Sequence, residues 1–142
     1  MPVVDASVAL KWFLANEPDA DLALKVLGDG HALTAPDILI AEVCNAAWKS
    51  ARLGRIGQVQ VDEIAAGLPL FIERFADSAT LAPRAVAIAS QLDHPVYDTL
   101  YLALAEREAT QVITADSRFR SKVQGTVWQG YIVALADYRA RV

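Results

Sequence analysis

Four acidic residues lie far apart along the chain, in settings where a carboxylate could do chemistry. Asp5 and Asp116 each follow a short apolar run of the kind that forms a buried strand of a parallel sheet. Ligands of open α/β sheets bind at the carboxyl ends of the strands, so we expect both carboxylates at one such edge. Glu42 and Asp98 lie on predicted helices, and the segment around Glu42 contains no other charge. We expect these helices to bring Glu42 and Asp98 to the same edge.

A cluster of carboxylates needs a chemical explanation. Two carboxylates about 4 Å apart repel by roughly 4 kcal/mol at an effective dielectric constant near 20, so a cluster raises pKa values or requires a cation. His31 and His94 are isolated in the sequence and Cys44 is the single cysteine, which argues against a zinc cluster. An all-oxygen site suits Mg²⁺ or Mn²⁺. Such ions can orient a water, lower its pKa and neutralise a phosphoryl transition state.

Each of these residues also has a simpler interpretation when it is taken alone. Glu42 would be a solvated helix glutamate, and Asp98 or Asp116 would be a helix N-cap. Ser7 is likewise predicted to cap a helix over residues 8–14. The hypothesis of a shared site depends on two strand-terminal aspartates occurring in one chain, since sheet topology can place them side by side.

The elements that must position these acids alternate between short strands and helices, which predicts an α/β fold. Besides the opening strand before Asp5, strands are predicted at 31–34, 68–75, 111–116 and 131–135, the second of these as an edge strand. Helices are predicted at 8–14, 17–28, 36–52, 57–67, 82–92 and 98–108, and an exposed tail at 138–141. The packing face of the last helix is predicted to comprise Tyr97, Leu100, Tyr101 and Leu104.

Length and composition fit one domain spanning residues 1–142. The apolar fraction of 54% is high beside 21% charged residues, so we expect a homodimer, with Tyr101 and residues 59–68 as candidate contacts. The net charge of −4 gives no global basic footprint for nucleic acid, which leaves phosphate binding to a local site. A single cysteine fits a reducing cytoplasm, and neither a membrane span nor a signal peptide is expected.

Four segments around the acids together resemble the acidic motifs of the PIN domain. They are Val3-Val4-Asp5-Ala6-Ser7, Ala41-Glu42-Val43-Cys44-Asn45, Tyr97-Asp98-Thr99-Leu100-Tyr101 and Thr114-Ala115-Asp116-Ser117-Arg118-Phe119. Within that family the chain looks like the single-domain VapC-type toxin ribonucleases of type II toxin–antitoxin systems. Each motif alone has little specificity, whereas the ordered set of four is specific and covers nearly the whole chain.

The resemblance implies a three-layer α/β/α fold with a five-stranded parallel sheet. It also implies an endoribonuclease dependent on Mg²⁺ or Mn²⁺, in which a metal-activated water cleaves RNA phosphodiester bonds, and a cognate antitoxin that restrains it. By this analogy the metal is held by Asp5, Glu42, Asp98 and Asp116. Ser7 and Asn45 would support the carboxylates, while Thr99 or Ser117 would contact water on the metal or a phosphate. Arg118 is the best candidate for a contact to an RNA phosphate, because it follows Asp116 so closely.

Other functions stay open at this point. A phosphoacceptor signalling domain would also place acids at strand ends, but the adjacent acidic pair and late lysine that it needs are not evident. A haloacid-dehalogenase-like phosphatase would need a second Asp where Ser7 stands, and a Ser-His-Asp hydrolase would need a G-x-S-x-G motif. A catalytically silent PIN domain that acts only as an interaction module is the hardest alternative to dismiss.

Overall fold

A computed structural model describes residues 1–139 of the chain, and within them five parallel strands form one sheet. The strands are β1 (Val3–Val4), β2 (Thr34–Pro36), β3 (Arg74–Ala76), β4 (Val112–Thr114) and β5 (Ile132–Ala134), in the order β3-β2-β1-β4-β5. β1 is therefore central, as predicted, and both of its residues are fully buried. The order reverses between β1 and β4, which is where doubly wound sheets bind ligands.

Seven α-helices within the described part of the chain cover the sheet and complete the predicted three-layer α/β/α fold. They are α1 (Ala6–Ala9), α2 (Ala20–Gly28), α3 (Ile38–Arg52), α4 (Gln58–Gly67), α5 (Ser78–Leu92), α6 (Val96–Glu108) and α7 (Ser117–Val123). Short 3-10 helices follow at Leu10–Trp12, Leu68–Phe71, Gln129–Tyr131 and Leu135–Asp137. None of the helices described over residues 1–139 is long and apolar enough to cross a membrane.

Two of the predicted strands begin too early. β2 starts at Thr34 and not at residue 31, and the residues between α2 and Thr34 include Gly30 with a φ of +72°. The edge strand is β3, whereas Leu68–Phe71 forms a 3-10 helix with proline in its first turn. A strand begins where its residues first pair with neighbouring strands. In β2 that residue is Thr34, which pairs with Val3 of β1 and with Arg74 of β3.

Several helix starts also differ from the prediction: α2 begins at Ala20 and not at residue 17, and capping residues decide the starts of α1 and α5. Asp5, and not Ser7, caps α1: its carboxylate accepts a hydrogen bond from the backbone N–H of Val8 at 3.3 Å. The helix therefore begins before Ser7, whose hydroxyl is free for another partner. α5 begins at Ser78 because Asp77 caps it by accepting from Ala79 at 2.9 Å, a full turn before Pro83.

Helix α6 is the central helix of one layer. Residues Thr99–Ala105 are all buried, so the helix contacts protein on every side and shows no single packing face. The predicted face is therefore wrong at Tyr97, which is 62% exposed. Tyr101 is buried within the protomer and is not available as a dimer contact, contrary to the prediction.

The predicted exposed tail falls only partly within the described residues. Tyr138 packs against the core and its N–H donates to the carbonyl of Ala134 at 3.0 Å, while residues 140 and 141 lie outside the part described.

Candidate active site

Asp5 lies at the carboxyl end of the central strand, and its side chain is buried. The Ser7 hydroxyl donates to its Oδ1 at 2.6 Å, and the Thr114 hydroxyl donates to its Oδ2. Together with the N–H of Val8, these donors engage both carboxylate oxygens. A buried carboxylate is costly unless hydrogen-bonded, so this network is what allows an acid at the centre of the sheet.

The backbone after β4 orients the two hydroxyls. The N–H of Ala115 donates to Ser7 Oγ at 2.9 Å, and the N–H of Asp116 donates to Thr114 Oγ1 at 3.0 Å. A hydroxyl has one proton, so each of these accepts from the backbone and directs its proton at Asp5. Parallel pairing of β1 with β4 creates the arrangement, since Val4 pairs with Ile113 and the next residue along each strand is Asp5 or Thr114.

The pKa of Asp5 is raised from 3.8 to about 7. Burial is the main cause, because it penalises the charged form. The hydrogen bonds from Ser7, Thr114 and Val8 act in the opposite direction, while the charge of Asp98 raises the pKa further. None of the ion pairs formed within residues 1–139 involves Asp5, so a bound cation would stabilise its charged form.

Glu42 projects from α3 towards α6, where the Tyr101 hydroxyl donates to its Oε1 at 2.7 Å. Burial raises the pKa of Glu42, the hydrogen bond from Tyr101 lowers it, and the charge of Asp98 raises it. Burial, and then the Glu42 carboxylate, raise the pKa of Tyr101 well above 10.0, so the phenol keeps its proton as a donor. The sequence interpretation missed this role for Tyr101, although its position three residues after Asp98 places both on one side of α6.

Asp98 lies in the first turn of α6, and its Oδ2 is 2.6 Å from Nε2 of His94. The ring of His94 stacks on the buried ring of Phe119 in α7, with centroids 5.5 Å apart and planes within 5° of parallel. The sequence suggested that His94 is isolated, but in the structure it contacts both Asp98 and Phe119. The spacing of four residues between His94 and Asp98 was the signal that could have found the pair.

Asp116 caps α7, with its Oδ1 accepting from the N–H groups of Arg118 and Phe119 at 2.9 and 3.1 Å. The capping interpretation is thus correct for Asp116, but it is not the whole description. Burial raises the pKa of Asp98, and the neighbouring charge of Asp116 raises it further, while His94 lowers it. Asp98 in turn raises the pKa of both Asp5 and Glu42, so the electrostatic fields of the four acids overlap.

The donor set fits a hard divalent cation in its chemistry. It consists of carboxylate oxygens that repel one another, which is the preference of Mg²⁺ and Mn²⁺. Over residues 1–139, however, no group of three or more acids, histidines or cysteines is already gathered to hold an ion. Each of the four carboxylates has an oxygen in a hydrogen bond within the protein: Asp5 with Ser7, Glu42 with Tyr101, Asp98 with His94, and Asp116 with the N–H of Arg118.

The residues predicted to support the carboxylates differ in their burial and in the groups that they contact. Ser7 supports Asp5 directly, whereas Asn45 is exposed on α3 and makes no side-chain hydrogen bond within the described residues. Thr99 is fully buried and its hydroxyl donates to the carbonyl oxygens of Ala85 and Val96 at 2.8 and 3.1 Å, which leaves Ser117 as the accessible one of the two predicted hydroxyls. Ser117 and Arg118 are exposed at the start of α7, beside Asp116.

The fold defines a class of α/β protein with a parallel sheet whose order reverses between β1 and β4, and here a buried carboxylate, Asp5, follows the central strand. A family model for the PIN domain matches residues 3–123, and the chain belongs to that family. Ribonuclease VapC3 from Pyrobaculum aerophilum is 28% identical over 127 residues, which cover 88% of this chain and 96% of that relative. The crystal structure of PAE2754 from Pyrobaculum aerophilum superposes with a TM-score of 0.68 at 22% identity, covering 94% of this chain and 83% of that one.

Proposed function

We propose that the protein is a metal-dependent endoribonuclease and the toxin of a type II toxin–antitoxin pair. The observation that carries this proposal is the buried carboxylate of Asp5, which lies at the switch point of the sheet beside Asp98. A charge in that position is explained by binding a cation better than by packing. The similarity to Ribonuclease VapC3 supports RNA as the substrate class.

Asp5, Glu42, Asp98 and Asp116 would hold Mg²⁺ or Mn²⁺. A bound ion would lower the pKa of an attacking water and neutralise charge that develops on the phosphate. The chain's own contribution is to keep these carboxylates oriented and ionisable.

Hydrogen-bond donors around the carboxylates would keep them oriented and ionisable. Ser7 and Thr114 fix both oxygens of Asp5, and Tyr101 fixes Glu42. Each of these hydrogen bonds favours the charged form of its carboxylate and so opposes the effect of burial. Arg118, which is exposed next to Asp116, would contact an RNA phosphate.

The remaining partners follow from the same proposal. An antitoxin protein would restrain the enzyme by covering the acids. The protein would act as a homodimer, since large apolar side chains are exposed at Leu53, Val59 and Leu70. It would act in the cytoplasm, where its RNA substrate is found and where the single Cys44 stays reduced.

A second candidate is a catalytically silent PIN domain that serves only as an interaction module. The observation in its favour is that the four carboxylates form hydrogen bonds within the protein. In addition, the described residues contain no group of three or more acids, histidines or cysteines that could hold an ion. The two candidates differ in their response to metal, because only the nuclease needs the acids to converge.

Cleavage of a panel of RNAs with Mg²⁺, with Mn²⁺ and with EDTA tests the proposal. We expect cleavage only with metal, and its loss in Asp5→Asn. The matched control is Asp62→Asn, which makes the same change of charge at an exposed position on α4. Cleavage by a folded Asp5→Asn protein at the wild-type rate would refute the role of Asp5. Absence of cleavage by the wild type with either metal would favour the silent module.

A further inference from the structure

One flank of helix α7 carries positive charge next to the acidic site. The helix buries Phe119 and Val123, and these side chains fix its orientation on the core. Arg118 and Lys122 are four residues apart and thus share one flank, while Arg120 lies on the opposite flank. No acid is present among the seven residues of the helix.

Arg118 and Lys122 line an open cavity of about 460 Å³, together with Ser117, Ser121 and His94. The lining contains two cations, two hydroxyls and one imidazole, and it contains no carboxylate. Every polar group in this set can donate a hydrogen bond. The aliphatic parts of these side chains supply most of the cavity's surface, and the charged ends of Arg118 and Lys122 suit an anion that carries several acceptor oxygens.

The cations of α7 are also left unpaired. Among the ion pairs formed within residues 1–139, none involves Arg118, Arg120 or Lys122. The nearby acids are engaged elsewhere, because Asp98 contacts His94 and Asp116 caps the helix. These exposed cations are therefore available to an external anion beside the acidic cluster.

His94 lies between the cavity and one of the four acids. This side chain lines the cavity and also contacts Asp98 Oδ2 at 2.6 Å. Asp116 directly precedes Ser117 in the chain. The cavity therefore adjoins the acids, and a neighbouring phosphate of a strand whose reacting phosphate is at the acids would find its cationic contacts there.

We propose that this cavity binds a phosphodiester group of the RNA strand adjacent to the group at the acidic site, with Arg118 and Lys122 as its cationic contacts. The inference rests on the proposed function, because it takes the acids as the place of cleavage. It adds a second phosphate site and predicts that Lys122, four residues away from Arg118, contributes equally to substrate binding.

Binding is measured with a short, fluorescently labelled single-stranded RNA of mixed sequence, in an Asp5→Asn background and with Mg²⁺. Each phosphate contact contributes about 0.7 to the slope of log K against log salt for single strands. Both cations contact the same phosphodiester group, so the double variant Arg118→Gln/Lys122→Gln should lower this slope by about 0.7 and weaken binding about fourfold at 0.15 M salt. Arg118→Gln and Lys122→Gln should each produce a similar part of this loss.

Arg120→Gln is the matched control, since it removes the same charge from the other flank of the same helix. The Debye length is about 8 Å at 0.15 M salt and a helix is about 10 Å across, so its effect on a phosphate in the cavity is screened. We expect Arg120→Gln to bind within twofold of the parent. Circular dichroism checks the fold of each variant, and all three side chains are exposed.

A cleavage assay in the otherwise wild-type protein separates binding from chemistry. The double variant should raise KM with little change in kcat, because the cavity contacts a phosphate that does not react. Equal losses of affinity for Arg120→Gln and Lys122→Gln would overturn the proposal, since only net charge would then matter. Unchanged affinity in the double variant would overturn it as well.

Two further comparisons identify the ligand of the cavity and separate a failure of the phosphate site from a failure of the proposed function. Titration with inorganic phosphate alone should show no tight site, and saturation at micromolar phosphate that is lost in the double variant would assign the cavity to a free anion instead. If the wild type cleaves no RNA while binding still depends on Arg118 and Lys122, the proposed function fails and the phosphate site stands. If the wild type cleaves RNA and the double variant matches it in KM, the phosphate site fails alone.

Discussion

In the absence of metal, the buried carboxylate of Asp5 should make the protein less stable as the pH rises. Its pKa is about 7 in the folded protein against 3.8 as the ordinary value, a difference of about 3 units. Below pH 4 both the folded and the unfolded chain hold the proton. Between pH 4 and 7 only the folded chain holds it, so stability falls by about 1.4 kcal/mol per pH unit. The total loss from this group is about 4 kcal/mol and is complete above pH 7.

Asp5→Asn removes this pH dependence at a cost of its own. The amide presents an N–H₂ group to one hydroxyl whose proton points at it, which should destabilise the fold by about 1–2 kcal/mol. The variant should therefore be less stable than the wild type at pH 4 and more stable by about 2–3 kcal/mol at pH 8, with the two curves crossing near pH 5.

Urea unfolding in EDTA, followed by circular dichroism from pH 4 to 8, measures this difference. The control Asp62→Asn should differ from the wild type by a constant amount, since Asp62 is exposed. Adding Mn²⁺ at pH 8 should stabilise the wild type and not Asp5→Asn, because only binding to the folded state contributes. If the difference in free energy of unfolding between Asp5→Asn and the wild type does not change with pH, the raised pKa of Asp5 is refuted.

Three other outcomes are expected. Asp98→Asn should be at least as stable as the wild type without metal, because repulsion of Asp5 and Glu42 is relieved, yet calorimetry should show weaker Mn²⁺ binding; equal affinity would remove Asp98 from the site. Tyr101→Phe should lower the free energy of unfolding by about 1–2 kcal/mol through loss of its hydrogen bond to Glu42, and an unchanged urea midpoint would contradict that contact's importance. Analytical ultracentrifugation should show a dimer that Leu70→Lys weakens, whereas a monomer at all concentrations would refute the homodimer.

The sequence by itself determined the order of the elements and the settings of the acids. Apolar runs before Asp5 and Asp116 were enough to predict two parallel strands, because a strand buried on both faces needs continuous apolar residues. Local signals were weaker at strand limits, as at Thr34 and Arg74, where pairing with a neighbouring strand decides which residues are extended.

Only the tertiary structure decided which side chains serve the carboxylates. Thr114 reaches Asp5 across 109 residues of chain, through the register between β1 and β4, which no local pattern encodes. Tyr101 finds Glu42 across 59 residues because α3 and α6 approach one another in space. Thr99 shows the converse, since it adjoins Asp98 in sequence but rotation about the helix buries its hydroxyl against Ala85. Neighbours in sequence fix which helix carries a side chain, whereas packing of that helix fixes what the side chain touches.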